Sequence, residues 1–162
     1  MASHTPPPPS LHSLCTTIIT TSVCKIHPST ELITQVLQSL SHHAPELSPC
    51  RTIIVCDGCK HSEKNLYRAC RVDGAARERY EEYKRQLHTL AAQSHTLEIL
   101  ELDANHGFGY AVRAAMPLVK TPLVCVLQVG DPEWIIGPFH LRTPPPASPS
   151  PRPARGCAWV EF

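Results

Sequence analysis

The stretch Leu118-Val119-Lys120-Thr121-Pro122-Leu123-Val124-Cys125-Val126-Leu127-Gln128, with the glycine loop Asn105-His106-Gly107-Phe108-Gly109 just upstream, decides the fold. Leu123 to Leu127 is a short apolar run with two valines and no alternation. That is the pattern of a parallel strand buried on both faces. Upstream of it the chain alternates between strand-like and helix-like patterns; downstream it turns proline-rich and loses periodicity. The run is the expected centre of the sheet and the last point at which the pattern specifies structure.

Working back from it, Leu97-Glu98-Ile99-Leu100-Glu101-Leu102 reads as the preceding strand, ending at Asp103, and the glycine loop opens a short helix over about 110–116. A long helix is expected over 75–92, with Tyr80, Tyr83, Leu87, Leu90 and Ala91 along one side and Glu81 and Arg85 paired on another. Residues 59–73 carry no clear period. Thr52-Ile53-Ile54-Val55-Cys56 is a strand that ends in Asp57-Gly58, and residues 16–23 are dense in β-branched side chains and form the first strand. Between these two, Ser29 or Thr30 can cap a helix whose apolar face is Ile33, Val36, Leu37 and Leu40. The order β-α-β-α-β-α-β predicts an open, mostly parallel twisted α/β sheet with helices on both faces. Ligands of such sheets bind outside the carboxyl ends of the strands. Thr21-Ser22, Asp57-Gly58, Asn105 to Gly109 and the residues after Gln128 should therefore surround one crevice.

Composition bounds the rest. The chain has 162 residues, 42% apolar and 18% charged, enough for one core. Its 17 prolines are concentrated at positions 6–9 and from 132 to 153. Residues 1–13 and 129–162 are accordingly expected to be disordered, leaving 14–128 as the domain. A net charge of +1 supplies no reason to expect nucleic acid as a partner. No run approaches the roughly 18–20 apolar residues of a membrane helix. No signal or transit pattern opens the chain, so the expected location is cytoplasmic. Cys24, Cys56 and Cys125 sit in or beside apolar strands, as buried thiols do.

Each candidate constellation has a plainer alternative. Asp57 can accept hydrogen bonds from a ribose or a base, or can belong to an Asp-Gly turn. Gly107 and Gly109 do not make a dinucleotide fingerprint, because Val112 stands where the third glycine belongs and the loop follows the third strand. They can still bring a helix amino end close to an anion, with Arg113 adding a cation; otherwise the loop is a tight turn and Arg113 is solvated. Cys56, Cys59 and His61, with Cys70 beyond, lack the second paired cluster of a structural zinc site.

These residues together resemble the family 2 glycosyltransferases of the GT-A fold. The strand ending Thr20-Thr21-Ser22-Val23 with His27-Pro28-Ser29-Thr30 is similar to that family's opening strand and helix. The strand ending Asp57-Gly58 is similar to its second, and Asn105 to Arg113 to its Asn-x-Gly-x-x-x-Ala segment. The resemblance spans about residues 14–128. It implies a nucleotide-sugar-binding domain in which Thr21, Ser22, Asp57, Gly58, Asn105, Gly107, Gly109 and Arg113 meet the donor. It also implies a divalent metal, Mg or Mn, held by carboxylates just after the fourth strand. Here that position reads Gln128-Val129-Gly130-Asp131-Pro132-Glu133, so Asp131 and Glu133 are either a displaced metal pair or loop acids. The family's acceptor half and catalytic base are not recognisable, so the expectation is a partial domain, inactive alone. The alternatives are a non-catalytic nucleotide- or partner-binding module and a gene-model fragment. Gln128-Val129-Gly130 can be encoded across a splice donor, which would make the tail translated intron.

Overall fold

The computed structural model describes residues 10–64, 66–67, 70–129 and, for the backbone alone, 157–159. Asp131 and Glu133 lie outside the described residues. A single helical turn, α1 (Leu11–Leu14), leads directly into β1 (Cys15–Thr21). Then come α2 (Glu31–His43), β2 (Arg51–Cys56), β3 (Lys60–His61), β4 (Arg71–Val72), α3 (Gly74–Ala92), β5 (Leu97–Glu101), α4 (Phe108–Ala115), β6 (Leu123–Gln128) and β7 (Cys157–Trp159).

The main sheet runs β5-β2-β1-β6-β7 and every described pairing in it is parallel. Thr17 lies between Thr52 and Cys125, and Ile19 between Ile54 and Leu127. The fold is the expected open α/β sheet with helices on both faces. Successive crossovers step from β1 to β2 to β5, and the chain then returns to the other side of β1 as β6. That reversal puts a topological switch point between β1 and β6. Right-handed crossovers require α2 and α3 to cover one face and α4 the other. The packing agrees. Ile19, Ile54, Cys56 and Leu127 bury against Leu32, Ile33 and Leu40 of α2 and Tyr80, Tyr83 and Leu87 of α3. Ile18, Ile53, Val55, Val124 and Val126 bury against Ala111, Val112 and Ala115 of α4.

Local chemistry sets the boundaries. Ser29 Oγ accepts the Glu31 N–H at 3.2 Å at the entrance to α2. Asp73 caps α3 by accepting from Ala76 N at 2.7 Å. The Lys84 ammonium pairs with Glu81 and Glu101, both at 2.8 Å, and so ties α3 to β5. Three details differ from the sequence expectation. Arg85 pairs with Glu82 rather than with Glu81, which pairs with Lys84. Residues 59–73, without a readable period, hold the short parallel β3–β4 ladder. The last helix starts at Phe108 rather than about 110, because Gly107 (φ 76°, ψ 169°) makes the turn that only glycine adopts comfortably.

All of β1 is buried, and the Thr17 and Thr20 hydroxyls have no hydrogen-bond partner. A buried unpaired hydroxyl costs about 1–3 kcal/mol, and valine has nearly the same shape. Replacing Thr17 by Val should therefore raise stability by about 1 kcal/mol, read as a higher urea midpoint at unchanged slope.

Candidate functional site

At the carboxyl edge the ladders continue one residue past the strands. Asp57 N donates to Thr21 O (2.9 Å), Leu102 N to Cys56 O (3.0 Å) and Val129 N to Thr20 O (2.9 Å). The loops that follow are therefore delivered in register. They form two clusters.

The first is a clasp between the end of β2 and the loop after β5. Asp57 is 4% exposed, and its carboxylate accepts four hydrogen bonds. Oδ1 takes Gly58 N (3.0 Å) and His106 N (2.8 Å); Oδ2 takes Asn105 Nδ2 and Gly107 N, both at 2.8 Å. A carboxylate has about four acceptor positions, so all are filled from within the chain. Gly58 sits on the backbone of Ala104, where an added Cβ would lie 2.4 Å from the carbonyl carbon. Gly109, by contrast, has open space around it, and Arg113 is exposed on α4. The structure thus brings Asp57, Gly58, Asn105 and Gly107 into contact and leaves Gly109 and Arg113 at their margin.

The second cluster is a cavity of about 190 Å³ at the end of β1, on the α2–α3 side of the switch point. Thr21, Ser22, Lys25, His27, Ser29, Tyr67, Tyr83 and Val129 line it, and it is more enclosed than open. His27 is 4% exposed and stacks on Tyr83 (4.0 Å between centroids) and Tyr80 (5.0 Å). Its Nδ1 accepts Cys24 N at 3.3 Å, so the proton of the neutral ring is on Nε2. Burial lowers its pKa to about 4. The Tyr83 hydroxyl shares a 3.1 Å hydrogen bond with Thr21 Oγ1. Burial also raises the Tyr80 and Tyr83 phenols, keeping both protonated. Tyr80 OH donates to the Asp57 carbonyl at 2.7 Å and so links the two clusters.

Thr21 and Ser22 are therefore cavity residues, while the other sequence-derived candidates belong to the clasp or its margin. Lys25, His27, Tyr67 and Tyr83 escape a reading of strand ends alone. Their signals are the His-Pro pair soon after β1 and the Tyr80/Tyr83 pair on the buried side of α3. Cys56 is core: it is 1% exposed, and burial pushes its thiol up to about 12. Among the described residues no three His, Cys, Asp or Glu side chains are grouped to hold a metal ion. No described helix is long and apolar enough to cross a membrane.

Fold and site define a doubly wound, Rossmann-like α/β domain with a half-closed polar cavity at its switch point. Comparisons with models of known protein families, with curated proteins and with solved structures find no match. The functional reading rests on the residues themselves.

Two outcomes follow. Asp57→Asn turns one acceptor oxygen into a donor facing backbone N–H groups. It should cost about 2–4 kcal/mol and speed amide hydrogen exchange at His106 and Gly107. The second concerns pH. The folded chain keeps His27 neutral to about pH 4, whereas the unfolded chain takes up its proton near 6.5. The unfolded state then holds more protons between these values. Stability from this group is complete above about 6.5 and is lost as pH falls toward 4, by on the order of 2–3 kcal/mol. In His27→Gln that slope should disappear from denaturation midpoints measured across the interval.

Proposed function

We propose that the chain is a nucleotide-binding α/β module, the donor half of a glycosyltransferase-like protein, whose cavity receives part of a nucleoside-diphosphate sugar. The observation that carries this reading is the enclosed polar cavity beside the switch point, where sheets of this topology bind ligands. Its chemistry suits such a ligand. The Lys25 ammonium can meet phosphoryl oxygens, and the Thr21, Ser22 and Ser29 hydroxyls can meet ribose or phosphate. A volume of about 190 Å³ is below the ~300–1,000 Å³ of pockets that enclose whole ligands. One ring or one phosphate fits inside, and the remainder would lie along the carboxyl edge toward Arg113 and the amino end of α4.

In this reading the Asp57 clasp shapes the site and does not touch the donor, since its four acceptor positions are taken. The resemblance to glycosyltransferases carries an expectation of Mg²⁺ or Mn²⁺ at Asp131 and Glu133, outside the described residues. Among the described residues the cavity lining includes no carboxylate, and hard divalent cations want anionic oxygens. Binding carried by these described residues alone would need no metal, which is the binding-module form of the reading. In a protein carrying an acceptor site as well, the acceptor hydroxyl would attack the anomeric carbon and the nucleoside diphosphate would leave.

Titration calorimetry with uridine and guanosine diphosphates, with and without Mg²⁺, tests this. Saturable binding without metal, weakened about tenfold or more in Lys25→Glu, is expected; tenfold is the loss of about one charge-assisted contact. Absence of binding by either nucleotide overturns the nucleotide reading. Binding that appears only with Mg²⁺ overturns its metal-independent form.

A further inference from the structure

A pair of half-buried cysteines stands next to the cavity and is unused by anything described above. The β3–β4 ladder pairs Lys60 with Arg71 and His61 with Val72, so Cys59 and Cys70 are the residues immediately before it on its two strands. Both thiols are free, both are partly exposed, and both pack against the same apolar cluster under α3. Cys59 and the cavity residue Ser22 are among the groups whose proximity bears on the acidity of the Cys70 thiol. Between the cysteines lies Tyr67, which lines the cavity and whose N–H donates to Arg71 O at 2.6 Å. Tyr67 (φ 64°) and Cys70 (φ 56°) both occupy the left-handed region that side chains other than glycine rarely adopt. Tyr67 on the cavity wall and the Cys70 thiol beside the ladder are thus both held in strained backbone.

We propose that Cys59 and Cys70 form a reversible disulfide by exchange with a small-molecule disulfide such as oxidised glutathione, and that closing it fixes the Tyr67 wall of the cavity. Neighbouring positions on paired strands bring Cα atoms into the range a disulfide spans. The exchange balances in two steps. The Cys59 thiolate attacks one glutathione sulfur, the S–S bond breaks, and glutathione thiolate leaves. The Cys70 thiolate then attacks the Cys59 sulfur of the mixed disulfide and expels the second glutathione. Two electrons pass from the protein thiols to the glutathione disulfide, and the two thiol protons end on the two glutathione thiols that leave. Cys59 takes the first step because burial pushes the Cys70 thiol up and makes it the poorer starting nucleophile. The other thiol neighbours, Cys15 and Cys50, are 5% and 0% exposed at the opposite edge of the sheet and are shielded from such exchange.

The test uses the full chain equilibrated in reduced and oxidised glutathione, alkylated, digested with trypsin and examined by mass spectrometry. Cleavage after Arg51, Lys60, Arg68 and Arg71 puts Cys59 on peptide 52–60, together with Cys56, and Cys70 on peptide 69–71, so the Cys56→Ser chain assigns the link. The expected product is these two peptides joined and released by reductant. Its yield should fall roughly tenfold or more in Cys59→Ser and in Cys70→Ser, and persist in Cys56→Ser and Cys50→Ser. Cys70→Ser should instead accumulate the glutathione adduct on Cys59. Hydrogen exchange at Tyr67 should slow in the oxidised wild-type chain. Only glutathione adducts in the wild type, a link from Cys59 to another cysteine, or no oxidation at either thiol overturns the pairing. Unchanged exchange at Tyr67 after oxidation overturns its effect on the cavity wall.

Discussion

The carboxylate of Asp57 is the fixed point of the carboxyl edge. It is buried, and burial of an unpaired charge would be prohibitive, so the four donors around it are a condition of the fold. Three of those donors come from the loop after β5, some fifty residues away in sequence. The loop cannot leave without stranding a buried carboxylate, since Asp57 is shielded from solvent. The backbone contact between Gly58 and Ala104 closes the same junction from the other side, where no side chain fits. Strand ends and the start of α4 are referred to this one group, and Tyr80, stacked beside His27, is tied to the same residue through the Asp57 backbone carbonyl.

The switch point explains why a second, different environment exists so close by. Since β6 returns to the far side of β1, the loop after β1 has no sequential neighbour strand to lie over and is free to fold back on α3. His27 then falls between aromatic rings, with its Nδ1 committed to a backbone N–H. Among the described residues the result is a lining of hydroxyls, phenols and one ammonium, with the imidazole neutral. Such a lining discriminates by shape and hydrogen bonding more than by net charge.

The sheet was legible because its evidence is periodic and local: apolar runs for β2 and β6, a 3.6 period for α2, and Asp57-Gly58 and Asn105 to Gly109 as interruptions at strand ends. The convergence of those interruptions followed from parallel topology alone. What the sequence did not disclose was the division of labour among them. That Asp57 is consumed by Asn105, His106 and Gly107 depends on three-dimensional distances that no spacing encodes. His27 and Tyr83 are separated by most of two crossovers, and each has an ordinary local explanation, as a helix lead-in and as a core-face aromatic. Residues 59–73 were opaque because two-residue strands are too short to show a period.

The depressed basicity of His27 has a consequence for the surroundings in which the cavity can operate. An imidazole with an unperturbed pKa changes charge in the middle of the range found across cellular compartments. This one does not, and the neighbouring phenols are displaced to the alkaline side. Around neutrality the imidazole and both phenols therefore keep one charge state. Acidity reaches this imidazole only through the stability of the fold, whereas the thiols on the cavity wall answer to a different chemical variable altogether.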